Sequence, residues 1–204
     1  MSKGRDAKPH IGIYGRRNNG KSSLINCLAG QDIAIVSEQA GTTTDPVKKS
    51  FEITGFGPVI LIDTAGIDDS GDLGEKRVDR TLRTLDIIDL ALLVVTDNSF
   101  GEFEDDLISK FHNHDVPFII VHNKSDLTEP STEFKERIKF KTGKDLFEFS
   151  AVDRRNYEDL IKLIKDTIPE HSYKTPTLLG DLIRHGEIVI LITPIDVEAP
   201  AGRL

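Results

Sequence analysis

The sequence predicts an α/β fold, a mainly parallel six-stranded sheet with helices on both faces, and three observations carry that prediction. Apolar runs of strand length alternate with segments whose apolar residues recur at helical spacing. A glycine-rich loop, GRRNNGKSS at residues 15–23, separates the first such run from the first such helix. The polar motifs further along fall just past the carboxyl ends of the predicted strands, where open sheets of this kind bind ligands.

The elements follow in order. HIGIY, His10 to Tyr14, reads as a buried strand, and KSSLINCLAG reads as a helix that starts at Lys21 and stops at Gly30. Strand-like runs recur at residues 51–53, 59–62, 90–95, 118–121 and 146–149. Helical spacing appears at Leu82 and Leu85, then at Leu107, Ile108 and Phe111, then at Phe134 and Ile138. Tyr157, Leu160, Ile161, Ile164 and Ile168 mark a last helix with one buried face. PEHSYKTP, residues 169–176, is polar and proline-containing and reads as a linker. Beyond it, TLLGDLIRHG and EIVILITPID restart the pattern as a short helix and a buried strand.

At 204 residues, with 38% hydrophobic and 29% charged side chains, the chain has the balance of a folded domain, enough for one sizeable α/β unit and a piece of another. No apolar run nears the roughly 18 residues a membrane span needs, and MSKGRDAKPH lacks the apolar stretch of a secretory signal, so a cytoplasmic location is expected. A formal charge of -8 argues against a general nucleic-acid surface. Arg16, Arg17 and Lys21 nonetheless form a local basic patch, which over a screening length of about 8 Å matters more to a bound polyphosphate than distant acids do. The single cysteine, Cys27, excludes disulfides and cysteine-ligated clusters within this chain; beside Ile25 and Leu28 it reads as a core residue. His112 and His114, two apart on a helix, point to different faces and do not read as a metal pair.

GRRNNGKS fits G-x-x-x-x-G-K-S, with Gly15, Gly20, Lys21 and Ser22 in the fixed places. Between a strand end and a helix start, unpaired N–H groups and the helix dipole attract phosphate, and glycines let the backbone come close. LIDTAG puts Asp63 at a strand end, where a carboxylate can hold magnesium opposite the Ser22 hydroxyl while the N–H of Gly66 approaches a terminal phosphate. GTTTD lies between the two, and Thr43 can bring the metal a second hydroxyl. VHNKSD offers Asp126 to the ring N–H and exocyclic amino group of guanine, which adenine cannot match, with Asn123 and Lys124 bracing the loops around the base. FSAV adds Ser150 and Ala151, whose backbone can reach the guanine carbonyl, followed by Val152.

In this order GRRNNGKS, GTTTD, DTAG, NKSD and SA resemble the five motifs of translation-factor-class GTPases. Asn18, the paired threonines and the hydrophobic residue after D-x-x-G are similar to the TrmE/Era-like branch, which holds the tRNA-modification and ribosome-assembly GTPases. The resemblance implies the P-loop GTPase fold with GTP or GDP held by Asn18, Asn19, Gly20, Lys21, Ser22, Ser23, Asp63, Gly66, Asn123, Lys124, Asp126, Ser150, Ala151 and Val152. It implies Mg2+ on Ser22, Thr43 and Asp63, and catalytic parts for Lys21, Thr43, Gly66 and Glu75. Ile67 stands where many small GTPases carry a glutamine, and its side chain makes no hydrogen bond. In the relatives, potassium (K+) held partly by the asparagine, Asn18 here, supplies positive charge, and a glutamate nine residues past the D-x-x-G glycine, Glu75 here, helps position water. A slow, potassium-stimulated GTP hydrolase is therefore implied. Two positions depart from the branch: Arg17 replaces a proline and Thr44 an arginine.

The chain with its tail resembles the GTPases of FeFe-hydrogenase maturation, the HydF family, on GRRNNGKSSLIN, IVSEQAGTTTDPV and LLGDLIRHGEIVILITPIDVEAPAGRL. That resemblance implies residues 1–9 as an N-terminal tail, 10–168 as the GTPase domain, 169–176 as a linker and 177–204 as the start of a truncated dimerisation domain. It implies a homodimer in the full-length protein, with radical-SAM maturation enzymes and the hydrogenase as partners, and neither a membrane nor a nucleic acid. The iron–sulfur cluster would belong to a later domain outside this chain. The alternative is a TrmE/Era-like switch in tRNA modification or ribosome assembly. Either protein can work mainly as an enzyme or as a nucleotide-controlled binding module.

Overall fold

β1 (His10–Tyr14) is buried on both faces, as befits a central strand of a parallel sheet covered on either side. It pairs in parallel with β3 (Gly57–Asp63) on one edge and with β4 (Leu90–Val95) on the other. β5 (Phe118–His122) and β6 (Leu146–Glu148) extend the sheet in parallel beyond β4, and β2 (Val47–Ile53) closes the opposite edge antiparallel to β3. This computed structural model describes residues 8–30, 47–64 and 84–173, and among them the strand order is β2-β3-β1-β4-β5-β6. Thr43, Thr44, Gly66, Ile67, Glu75, Leu82 and the tail from residue 174 lie outside the described residues. The chain divides into two compact units, Met1–Lys174 and Thr175–Leu204, and the described residues belong to the first.

Alternation along the strands builds two cores. Ile11, Ile13, Leu92, Val94, Ile119 and Val121 share one with α1 (Lys21–Ala29) and α4 (Tyr157–Thr167). Tyr14, Leu93, Val95, Phe118 and Ile120 share the other with α2 (Glu102–Asn113) and α3 (Thr132–Thr142). The predicted α/β architecture with helices on both faces is therefore present. Because β3 and β4 leave β1 in opposite directions across the sheet, a crevice opens beyond the carboxyl end of β1.

β2 begins at Val47, ahead of the predicted apolar run, because an edge strand needs hydrogen bonds and not apolar side chains: Lys48, Lys49 and Ser50 pair with Ile62, Leu61 and Ile60. The helices end where local chemistry says they should. α3 starts at Ser131, whose Oγ accepts the Phe134 N–H at 3.1 Å, and stops at Gly143 with φ 69. The start of the predicted linker is fastened down: Glu170–Ser172 forms a 3-10 turn, the Ser172 hydroxyl donates to Asp89 at 2.9 Å, and Tyr173 packs on Phe56 with ring centroids 4.6 Å apart. No helix among the described residues is long and apolar enough to cross a membrane.

Candidate functional site

The loop from β1 to α1 turns through three left-handed residues, Gly15 (φ 138), Asn18 (φ 65) and Gly20 (φ 81). A Cβ at Gly15 would lie 2.2 Å from the Val94 carbonyl oxygen, and one at Gly20 would lie 2.4 Å from Asn123 Nδ2, so neither place admits a side chain. α1 has no side-chain cap and no acid in its first turn, whereas α2, α3 and α4 each carry at least one acid there. Its N–H groups and the positive end of its dipole are thus left to an outside anion.

Lys21 is 7% exposed, and its ammonium donates to the carbonyls of Gly15 at 2.6 Å and Arg16 at 2.7 Å, bridging the far end of the loop. Arg16 does not share that task. Its Nε and Nη2 grip the two oxygens of Glu104 at 2.7 and 2.8 Å, and Glu104, fully buried, also accepts the Gly101 N–H at 2.8 Å. The expected basic patch is corrected accordingly: Arg16 compensates a buried carboxylate, which unpaired would cost several kcal/mol, while Arg17 and Lys21 remain on the cleft. The Asn19 side chain is likewise engaged within the fold. Its Nδ2 donates to the Val94 carbonyl at 2.8 Å and its Oδ1 accepts from Thr96 at 3.1 Å, so this carboxamide fastens the loop to the end of β4.

A cleft of about 590 Å³ lies over the loop, lined by Arg17, Asn18, Gly20, Lys21, Ser22, Ser23, Asp63 and Lys124. Asp63 reaches it because the register sets Asp63 beside Ile13, and the buried Thr64 hydroxyl, donated to the Ile13 carbonyl, pins the strand end. Ser22 Oγ stands 3.4 Å from Asp63 Oδ2. Neighbouring ligands on an octahedral magnesium are about 3 Å apart, so the two oxygens can face one ion, directly or through water. Among the described residues no three His, Cys, Asp or Glu side chains converge on a metal.

The other end of the cleft is held by Asn123, 1% exposed. Its Nδ2 donates to the carbonyls of Asn19 at 3.0 Å and Gly20 at 3.4 Å, and its Oδ1 accepts the Ala151 N–H at 3.2 Å. One carboxamide therefore ties the phosphate loop, the β5–α3 loop and the β6–α4 turn together. Lys124, left-handed at φ 60, lines the cleft, and Asp126 is exposed on the same loop. Ser150 is fully buried, and its Oγ accepts the N–H groups of Val152 at 3.3 Å and Asp153 at 3.4 Å, so its side chain shapes the turn. Leu127 and Val152 stand 76% and 82% exposed on the two loops.

Beneath Asp126, Ser125 Oγ donates to the His122 carbonyl at 3.0 Å and meets His122 Nδ1 at 3.2 Å. The Ser125 proton being committed, Nδ1 is the donor to it. Burial holds the His122 pKa below the ordinary imidazole value, which keeps the ring neutral. Cys27 lies in the first core, where burial pushes its thiol pKa up.

Two functional supports escape a reading of the sequence. Glu104 carried a usable signal, an acid three residues after Gly101 at a helix start. Arg155, whose Nη1 donates to the Ser125 carbonyl at 3.1 Å, carried none, since its partner lies 30 residues away.

The family model described as 50S ribosome-binding GTPase matches residues 10–124. The tRNA modification GTPase MnmE of Lachnoclostridium phytofermentans is 37% identical over 155 residues, 76% of this chain and 33% of that protein. GTPase Der of Helicobacter hepaticus is 35% identical over 183 residues, 85% of this chain and 37% of its own. The chain thus spans about a third of the length of these curated relatives. Among solved structures, an Aquifex aeolicus Era variant bound to GDP and aluminium fluoride superposes with a TM-score of 0.65 at 27% identity, over 79% of this chain and 57% of that one. Era in complex with MgGDPNP and a segment of 16S ribosomal RNA gives 0.64 at 25%, over 86% and 60%.

Proposed function

The chain belongs to the 50S ribosome-binding GTPase family, and from that premise we propose that its G domain binds GTP across this cleft and hydrolyses it slowly. The observation that supports the reading is that Asn123 fastens the Asp126-bearing loop directly onto Gly20 of the anion-binding loop, and Lys124 of that loop lines the same cleft as Lys21 and Ser22. Lys21 and the N–H groups at the start of α1 bind the phosphates and stabilise charge as the terminal phosphate leaves. Ser22 and Asp63 hold magnesium, which when bound supplies positive charge to the phosphate oxygens. Asp126 accepts from the guanine ring N–H and amino group. The Ala151 N–H is available to the guanine carbonyl once released from Asn123. Thr43, Gly66 and Glu75 complete the site from the segments that follow, and Asn18, exposed at the cleft, holds potassium.

Steady-state hydrolysis of GTP against ATP, each in potassium and in sodium, tests this. GTP turnover faster in potassium and negligible ATP turnover are expected. Equal rates on the two nucleotides would end the guanine assignment, and indifference to potassium would end the role given to Asn18.

For the biological setting, a switch in tRNA modification or ribosome assembly has the better support, because the similar proteins are named tRNA modification GTPase MnmE, GTPase Der and Era, and one Era structure contains ribosomal RNA. The net charge of -8 speaks only against a general nucleic-acid surface and leaves a local one open. A salt-dependent RNA titration with a GTP analogue and with GDP tests it, and RNA binding absent in both states would exclude it. Hydrogenase maturation is the second reading, favoured by the tail sequence LLGDLIRHGEIVILITPIDVEAPAGRL, which lies outside the GTPase motifs. It requires cluster-ligating cysteines and histidines encoded after Leu204, in a cytoplasmic protein that dimerises through the region from residue 177.

A further inference from the structure

We propose that Arg155 is a positioning residue for the base-reading carboxylate of Asp126, an inference that rests on the guanine reading above. Asp126 is exposed, and its direction is set by the peptide group that enters it, between Ser125 and Asp126. Arg155 holds that group by its carbonyl, with Nη1 3.1 Å from the Ser125 oxygen. The Ser125 N–H is given to the Phe149 carbonyl at 3.1 Å and its hydroxyl to the His122 carbonyl at 3.0 Å. Every polar group of Ser125 is therefore engaged, and two of its bonds, those to Arg155 and Phe149, run to the segment that carries Ala151.

Arg155 is itself oriented. Nη1 also meets Glu129 Oε1 at 3.3 Å, Nη2 lies 3.6 Å from Asp153 Oδ2, and the Arg155 N–H is donated to Asp153 Oδ1 at 3.0 Å. Its neighbour Arg154 sits at φ 59, a region disfavoured for such a side chain, and Asn156, of a type that tolerates it, sits at φ 59 too. The guanidinium forms a second link between the two base-side loops, independent of Asn123.

Turning the Ser125–Asp126 peptide swings the carboxylate. Two parallel hydrogen bonds, from the ring N–H and from the exocyclic amine, depend on direction more strictly than one does. Loss of Arg155 should therefore fall most heavily on the bond that guanine makes and hypoxanthine cannot.

The test is the affinity of the whole chain for GDP and for IDP, which keeps the ring N–H but lacks the amino group. Arg155→Ala should weaken GDP about tenfold and IDP about threefold or less, so that the preference for GDP contracts, and Arg155→Lys should restore part of it. Equal losses for both nucleotides, or no loss, would overturn the proposal. Should Arg155→Ala not fold, Asp153→Asn, which loosens the guanidinium without removing it, is read in the same way: a smaller contraction supports the role and an unchanged preference overturns it. Wild-type protein that fails to prefer GDP over ADP would defeat the guanine reading itself, whatever the variants do.

Discussion

At the phosphate end of the cleft most groups come from consecutive residues, Gly15 to Ser23, shaped by backbone angles and by one helix start, with Asp63 added from the end of β3. At the base end they come from two separate loops: Asn123 and Ala151 are 28 residues apart and meet through one 3.2 Å bond, and Arg155 reaches Ser125 across 30. The first end takes its ligand-facing groups from a short segment, which Asn19 pins to the end of β4 and Arg16 to α2. The second exists only once β5 and β6 lie side by side. Damage at the phosphate end should therefore remove binding of every nucleotide, and damage confined to the base end should change which nucleotide is preferred.

The largest effect is expected at Gly15. Gly15→Ala sets a Cβ 2.2 Å from a main-chain oxygen at φ 138, and should cost about 3 kcal/mol or more in urea denaturation with loss of all nucleotide binding. A stable, binding-competent Gly15→Ala protein would break the claim that this end depends on backbone shape.

Asn123→Ala should come next, because this carboxamide belongs to both ends. Removing it leaves the Ala151 N–H and the Asn19 carbonyl without their partner, while the Gly20 carbonyl keeps the Leu24 N–H, an expected loss of about 2–4 kcal/mol, with affinity falling for GDP and ADP alike. A change in selectivity alone would move Asn123 wholly to the base end.

The same division explains what the sequence disclosed. β1, the loop and α1 were readable together, since alternation, glycine spacing and a helix stop at Gly30 are all local signals. Asp63 was readable because it ends a hydrophobic run. The fate of Arg16 was not: as a cation two positions from Asn18 it looked available, and only the packing of α2 brings Glu104 beneath it. The engagement of the Asn19 carboxamide was likewise hidden, because nothing local says that Val94 and Thr96 will claim it. The early start of β2 was hidden by its lysines, which an edge strand tolerates.

His122 sharpens the comparison through pH. Burial lowers its folded pKa, against opposing contributions from Asp97 and Glu148 and with Lys135 adding to the lowering. Unfolded protein then takes up the proton first, so the stability present above the unfolded value of about 6.5 should decline as pH falls through it toward the folded pKa. The expected slope is on the order of 1 kcal/mol per pH unit across that window, and His122→Asn should flatten it. A limb of the same steepness in the variant would assign the dependence to other groups.

The smallest effect is expected at Tyr14, at the end of β1. Its ring is fully buried against Phe111, its hydroxyl has no hydrogen-bond partner among the described residues, and burial raises the phenol pKa beyond the ordinary range. Tyr14→Phe should be neutral or stabilising by up to about 1 kcal/mol in thermal or urea unfolding, with nucleotide affinity unchanged. A destabilised variant would mean that the hydroxyl contributes to the loop it precedes.

On the proposed function, Asp126 reads the base of a nucleotide whose phosphates sit at the start of α1. Affinities for GDP and XDP in wild type and Asp126→Asn test it most directly, since xanthine carries a carbonyl oxygen where guanine carries the amino group, and an amide can donate where a carboxylate can only accept. The wild type should prefer GDP by about a hundredfold or more and Asp126→Asn should prefer XDP. The same preference for GDP in both proteins would contradict the account.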